Sequence, residues 1–178
     1  KTIENLLSGI MVISDKPVNV GDACRVGEFF GTVEDIGLRS TRIRTLNRTV
    51  VSVPNGHLAS MSLENFAARD RIWLHHTIGL RCQTTADQLR SVLAGVRRLL
   101  EADPKVDHTS ARIRFIGVSG SSLDLEIFAY VLVSDQATFL AIQEDLLLGI
   151  MDVIDTSGTS LAFPFPPALL AAEGGLHT

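Results

Sequence analysis

The sequence predicts an α+β chain with three successive parts: a short N-terminal helix, a small all-β barrel domain and a βαββαβ domain. Two observations predict this order. Between residues 18 and 66, glycines separate short apolar segments, a spacing typical of small barrels and sandwiches. From residue 72 onwards, apolar residues recur with periods of two and 3.6 in turn, as alternating strands and helices require. We expect boundaries at residues 1–14, 15–67 and 68–167, with a C-terminal tail at 168–178.

Composition sets the class of protein. The chain has 178 residues, of which 46% are hydrophobic and 20% charged, so it can bury a core and is not a disordered tail. A formal net charge of −4 provides no general attraction to nucleic acid or to an anionic membrane surface. Two cysteines do not make a disulfide framework.

No window approaches the ~18 consecutive apolar residues of a membrane-spanning helix, and we expect the chain to be a fragment of a longer protein.

The first part has helical periodicity. Its apolar residues form one stripe, and its other face carries small or polar residues that allow close helix approach. The stripe is Ile3, Leu6, Leu7, Ile10 and Met11, and the small or polar face is Asn5, Ser8 and Gly9. Ten residues of periodicity are compatible with a simple packing helix or with the wall of a pore.

The second part is predicted to be an Sm-like or SH3-like barrel. Along residues 40–46, alternation places Arg42 and Arg44 on one exposed face. The segment 54–56, Pro-Asn-Gly, predicts a turn, in which Asn55 or Gly56 is free to take a positive φ. A brief helix is expected at about residues 58–65.

The third part begins with a strand at residues 72–80. A helix follows, for which Thr85 and Gln88 form a capping box, and then a hairpin at residues 111–133. A second helix is predicted to begin after Asp135, and a last strand covers residues 160–165. The predicted helix stripes are Leu89, Val92, Leu93, Val96, Leu99 and Leu100 in the first, and Phe139, Ile142, Leu146, Ile150 and Val153 in the second. This order is ferredoxin-like, a fold that by itself selects no function.

Several residues of this part suggest chemistry, but each has a simpler structural explanation. His75 and His76 are neighbours on a strand and point to opposite faces, so we expect His76 to face the core and His75 to be solvated. Asp124 and Glu126 share a strand face, as paired catalytic carboxylates would. Arg112 and Arg114 lie on the partner strand, and a cross-strand charge ladder explains all four side chains.

Other motifs give no catalytic set. The segment 117–122 lacks the patterns of a phosphate-binding loop and of a nucleophile elbow and predicts a hairpin turn. Cys24 and Cys82 are expected to be free thiols that fill apolar space. No metal or cofactor is expected.

Positive charge is concentrated in the second part. An arginine face on a small barrel could bind RNA or simply be solvated. RNA stacking platforms would depend on Phe29, Phe30 and Phe66. The arginines are Arg39, Arg42, Arg44 and Arg48.

Three spaced motifs resemble the signature of one family. They are DKPVNVGD at residues 15–22, GTVEDIGLRSTRIRT at 31–45 and VSVPNG at 51–56. In this order they resemble the small-conductance mechanosensitive channels (MscS-like), in which a turn after the pore helix leads into a glycine-rich β domain. The resemblance extends to an FPxP-like close at residues 163–166. Residue 18 is Val where the family more often has Phe.

The resemblance implies a cytoplasmic, vestibule-forming portion of a tension-gated channel subunit that releases ions and small osmolytes on hypo-osmotic shock. It implies a homo-oligomeric, commonly heptameric ring in the inner membrane, with lipid contacts made by upstream helices. It places the end of the pore helix, including Asn5, Ser8 and Gly9, at the start of the chain. It implies no catalytic residue, cofactor or nucleic-acid partner, and the arginines of the second part could then pair with neighbouring subunits or shape the ion environment near the pore. The β-domain signature turns correspond to Gly21, Asp22, Gly31, Gly37, Pro54 and Asn55.

Two other functions compete with the channel. The first is a soluble ring-forming module that binds nucleic acid or another ligand. The second is an enzyme built on the ferredoxin-like domain, for which the sequence offers no convincing catalytic set.

Overall fold

A computed structural model of the chain describes residues 18–162. It divides between Arg69 and Asp70 into two compact units. The predicted N-terminal helix, with Asn5, Ser8 and Gly9, and the predicted tail lie outside the described residues. The described part contains three helices and two sheets, which confirms an α+β chain. No helix within it has both the length and the apolar composition needed to cross a membrane.

The first unit is built on one antiparallel five-stranded sheet with the order β4-β3-β2-β1-β5. Its core lies under alternate residues of these strands, among them Val33 and Ile43, which are almost completely buried. A short helix, α1, follows β4. The elements are β1 (Ala23–Val26), β2 (Phe29–Ile36), β3 (Ser40–Thr45), β4 (Val50–Pro54), α1 (Asn55–Ser60) and β5 (Leu63–Asn65).

Two predictions for the end of this unit are wrong. The helix begins at Asn55 and ends at Ser60, and residues 63–65 form β5, which pairs with β1. Met61 has an extended backbone, so the chain leaves the helix early enough to hydrogen-bond with β1. The Pro-Asn-Gly segment is the junction of β4 and α1, and neither Asn55 nor Gly56 takes a positive φ.

The second unit has a three-stranded antiparallel sheet, with the order β6-β8-β7, and two long helices. The helices and one face of the sheet enclose the larger of the two cores. Residues 160–162 lie beside β6, since Leu80 and Leu161 form an antiparallel bridge. The rest of the predicted last strand, from residue 163, is outside the described part. The elements are β6 (Ile72–Arg81), α2 (Ala86–Ala102), β7 (Arg112–Val118), β8 (Ser122–Val131) and α3 (Gln136–Thr156).

Both long helices have the predicted caps and faces. The Thr85 hydroxyl accepts from the Gln88 backbone N–H and the Gln88 side chain accepts from the Thr85 N–H, as a capping box requires. Asp135 caps α3 by accepting from the Thr138 N–H at 2.7 Å. The buried stripe of α2 lies within the predicted one. In α3, Ile154 is fully buried where the sequence suggested Val153, which is only half-buried.

Candidate functional site: the turns of the first unit

The turn at Gly21 and Asp22 joins the start of the first unit to β2. Gly21 has a φ of +99°, which a glycine adopts without strain, and its N–H donates to the Val33 carbonyl at 2.8 Å. The Asp22 carboxylate accepts from the Asn19 N–H at 2.9 Å and from the Asn65 side chain at 3.0 Å. The Asn19 backbone hydrogen bond is the main cause that lowers the Asp22 pKa below its ordinary value, and Asn65 adds to it.

The turn at Gly37 is tied to the β4–α1 junction by Asn55. The Asn55 side chain is fully buried. It accepts from the Thr41 hydroxyl at 3.0 Å and donates to the Gly37 carbonyl at 2.8 Å. The Asn55 N–H donates to the Arg39 carbonyl at 2.9 Å. One asparagine therefore satisfies polar groups from two other segments inside the core.

Gly31 serves a different purpose, because it allows β2 and β3 to approach closely. A Cβ at this position would overlap the Arg44 carbonyl oxygen and the Ile43 side chain. Only glycine therefore fits the present spacing of these strands. The six predicted turn residues thus lie in three places: Gly21 with Asp22, Gly37 with Pro54 and Asn55, and Gly31 in mid-strand.

Three residues of this network were missed by sequence reasoning: Asn19, Thr41 and Asn65. The alternation that places Arg42 and Arg44 on one face of the strand puts Thr41 on the other, but nothing in the strand indicates Asn55 as its partner, 14 residues away. Asn19 lies three residues before Asp22, a spacing typical of a local side-chain turn. Asn65 carried no local signal, because its contact with Asp22 requires β5 to pair with β1.

The arginine face of β3 is present, although it differs in detail from the expectation. Arg42 is exposed, whereas Arg44 is half-buried and pairs with Glu34 at 2.5 Å. The rings proposed for RNA stacking are partly occupied, since Phe30 packs edge-on against Phe66 and the Arg25 guanidinium lies within 6 Å of both ring centres.

The histidines of β6 behave as expected, but the charge ladder does not form. His75 is exposed and its Nε2 lies 3.0 Å from Glu126, while His76 is half-buried on the core side. Arg114 is opposite Glu126 in register, yet within residues 18–162 Glu126 pairs with His75 instead.

The other members of the expected ladder also have different partners. Arg112 lies 3.7 Å from the centre of the Phe128 ring, which is a cation–π contact. The Asp124 carboxylate accepts from the hydroxyls of Ser119 and Ser122. These two hydrogen bonds lower the pKa of the Asp124 carboxyl below its ordinary value, and the one from Ser119 has the larger effect. Asp124 is therefore held by local partners and Glu126 by a residue of the neighbouring strand β6.

The first unit matches a known family model. Residues 1–68 match the model described as "Mechanosensitive ion channel, beta-domain". This range contains all six turn residues and the Asn55 network.

Curated relatives match along both units. A protein of Aquifex aeolicus described as an uncharacterized MscS family protein is 39% identical over 92% of this chain and 45% of its own length. The low conductance mechanosensitive channel YnaI of Escherichia coli is 32% identical over 91% of this chain and 48% of its own. The small-conductance mechanosensitive channel MscMJ of Methanocaldococcus jannaschii is 31% identical over 92% of this chain and 46% of its own length. The chain thus spans about half the length of these relatives.

Solved structures share the fold. The cryo-EM structure of Arabidopsis thaliana MSL1 superposes with a TM-score of 0.84 and 22% identity, over 91% of this chain and 59% of that one. The closed-state crystal structure of Helicobacter pylori MscS superposes with a TM-score of 0.77 and 18% identity, over 92% of this chain and 63% of that one. These solved structures share the fold of the chain, and the matched β-domain model and the curated relatives show that it belongs to the MscS family.

Proposed function

We propose that this chain is the cytoplasmic, vestibule-forming portion of a membrane-tension-gated channel subunit that releases ions and small osmolytes on hypo-osmotic shock. The observation that carries the proposal is the pair of relatives named as mechanosensitive channels, YnaI and MscMJ. They align at 32% and 31% identity over 91% and 92% of this chain. Both units are included in that span, so the likeness is not confined to the short motifs.

The proposal includes a finer description of the fold. In the second unit, residues 160–162 next to β6 give the sheet the order last strand, β6, β8, β7. With α2 after β6 and α3 after β8, this order supports a ferredoxin-like domain. In the first unit, five short strands with β4 and β5 at the edges support a small, partly open barrel of the Sm-like or SH3-like kind. The domain boundaries belong to the same proposal, with the first two domains at residues 1–14 and 15–67 and the last two at 68–167 and 168–178.

A ring of identical subunits, heptameric as in the family, is also part of the proposal. The edge strands β4 and β5 each have one neighbour in the described sheet, so their outer backbone groups can pair with another chain. Large apolar side chains are exposed as well, including Leu46 and Leu38. Edges and apolar patches of this kind are typical of surfaces that are covered in an assembly.

The mechanism is physical and needs no reacting group. Membrane tension does work in proportion to in-plane area, so it favours the channel state with the larger area. Upstream helices in the inner membrane would respond to that work. The first residues of this chain, including Asn5, Ser8 and Gly9, would end the pore helix, and the signature turns would hold the β unit rigid beneath it. Permeating ions would pass through the vestibule enclosed by the second unit.

The test is a patch-clamp recording of the full-length protein in a host that lacks such channels, with suction applied in steps. We expect unitary currents whose open probability rises with tension, and survival of the host after hypo-osmotic shock. Protein that is present in the patch but gives no tension-dependent current would overturn the proposal.

A variant in the first residues tests the role of the small face. Gly9→Leu should shift the tension needed for opening, because a bulky side chain prevents close helix approach. Gly9→Ala is the matched control, since it changes the residue but keeps it small. An unchanged threshold in Gly9→Leu would contradict a packed role for this position.

A further inference from the structure

The second unit has two exposed surfaces that its own core does not use. The first, called here the aromatic face, is the side of the sheet turned away from the helices. Trp73 on β6 is 53% exposed, stacks on His75 with ring centres 4.9 Å apart and contacts Phe128. Aromatic and arginine side chains together are the composition enriched in protein–protein interfaces.

Within the described part of the chain, the two arginines of the aromatic face have no carboxylate partner. Arg112 rests on the Phe128 ring, and Arg114 donates to the carbonyl of Ile113. Among residues 18–162, neither forms an ion pair, because Glu126 pairs with His75 and Asp124 is bound by two serines. The face therefore combines exposed aromatic area with two arginines that are available to an acidic surface.

The second surface, called here the outer stripe, lies on α3. Besides its buried stripe, this helix exposes Leu140, Leu148 and Met151 by 51%, 54% and 48%. Spacings of eight and three residues place these side chains on one side of the helix, together with Glu144 and Asp155. A helix that is apolar on opposite sides is typical of one that is covered on both.

The outer stripe is also acidic. Helix α3 carries four carboxylates and no lysine or arginine, as its sequence QATFLAIQEDLLLGIMDVIDT shows. Glu144 and Asp155, which lie on the stripe, form no ion pair within the described part of the chain. The outer stripe thus has the charge and the apolar area that complement the aromatic face.

We propose that the aromatic face of one copy of this chain docks on the outer stripe of α3 in the next copy. The helices cover one face of the sheet, so the two surfaces lie on opposite sides of the same unit. Each copy can therefore contact two neighbours through two different surfaces. Such a head-to-tail contact produces a ring when the rotation between copies closes. The inference rests on the assembly proposed above and names the surfaces that hold it.

Charge reversal in the full-length purified protein tests the contact. Arg112→Glu with Arg114→Glu should raise the dissociated fraction, measured by native mass spectrometry, about tenfold, because like charges then face each other. Glu144→Arg with Asp155→Arg should do the same. All four changes together should restore assembly to within about twofold of the unchanged protein. Restoration distinguishes a direct contact from a fold defect, which the second pair of changes would not repair.

The matched control is Arg97→Glu, an exposed arginine on α2, which should leave the assembly unchanged. If the unchanged protein is oligomeric and neither reversed pair dissociates it, the proposed contact is wrong, but the proposed ring is not contradicted. The same holds if the combined reversal fails to restore assembly. If the unchanged protein is monomeric, the proposed ring fails and this contact with it.

Cross-linking locates the contact directly. In a Cys82→Ser background, Thr77→Cys on the aromatic face with Leu148→Cys on the outer stripe should give a ladder of linked subunits with a short bis-maleimide. Cys24 is fully buried and should not react. Leu132→Cys with Leu148→Cys is the matched control, because Leu132 is exposed but lies after the end of β8. Equal linking in the two pairs, or no ladder from the first, would overturn the proposal.

Discussion

The two units are stabilised in different ways. In the described part of the first unit, seven buried residues make the hydrophobic core, and side-chain hydrogen bonds from Asn55 and Asp22 connect the turns around it. In the second unit, seventeen buried residues pack between a sheet and two long helices. A small core supplies less stabilisation, so specific polar contacts carry a larger share of it. We therefore expect the first unit to be more sensitive to single polar substitutions.

The largest expected effect is that of Asn55→Ala. The change removes the buried partner of the Thr41 hydroxyl and of the Gly37 carbonyl, and the unfolding free energy of the first unit should fall by about 3 kcal/mol. The chain's only Trp and Tyr, Trp73 and Tyr130, lie in the second unit. Hydrogen–deuterium exchange of peptides from β2 and β3 is therefore the suitable measurement. Asn47→Ala, at an exposed position, is the control, and an equally small effect of both would refute the comparison.

Gly31→Ala should have the next largest effect. The added methyl group overlaps the Arg44 carbonyl oxygen, so β2 and β3 must separate at a cost of about 2 kcal/mol. Gly117→Ala in the second unit is the matched control, because a Cβ there meets nothing within 4 Å. Faster exchange of β3 amides in Gly31→Ala, with Gly117→Ala unchanged, is the expected result. Unchanged amide exchange in both variants would mean that β2 and β3 accommodate the added methyl group without separating.

Thr85→Ala tests the second unit with a smaller change. It removes the hydroxyl that accepts from the Gln88 N–H, and losing a helix cap of this kind costs about 1 kcal/mol. Denaturation followed by Trp73 fluorescence should show a modestly lower midpoint. Gln83→Ala, an exposed neighbour, should leave the midpoint where it is. A loss as large as that of Asn55→Ala would contradict the idea that the larger core tolerates a lost polar contact.

The smallest effect concerns pH. The Asp22 pKa is lowered in the folded state, first by the hydrogen bond from the Asn19 N–H. The ionised carboxylate therefore stabilises the first unit above the unfolded pKa of about 3.9, and this stabilisation is lost as pH falls through the folded pKa. Exchange of the β1 and β5 amides should accelerate below about pH 4. In Asp22→Asn this acceleration should be weaker, and an identical pH profile would exclude Asp22 as its cause.

The sequence alone predicted the long elements of the second unit well. Regular periodicity over ten or more residues determined α2, α3, β6 and β8, and the Thr85–Gln88 capping box is confirmed in geometry. These features depend on residues close in sequence, so a local pattern is sufficient. The six signature positions came from the resemblance to the family; Gly31 lies within β2, and none of the hydrogen-bond partners was predicted.

What the tertiary structure decided is the set of contacts between distant segments. Residues 63–65 form a strand because β1 offers an unpaired edge 39 residues earlier, at Arg25 opposite Glu64. Asn55 is buried because Thr41 and Gly37 present polar groups at the same point. Glu126 pairs with His75 on one neighbouring strand rather than with Arg114 on the other. Such choices depend on which groups meet in space, and a one-dimensional pattern contains only the spacing along the chain.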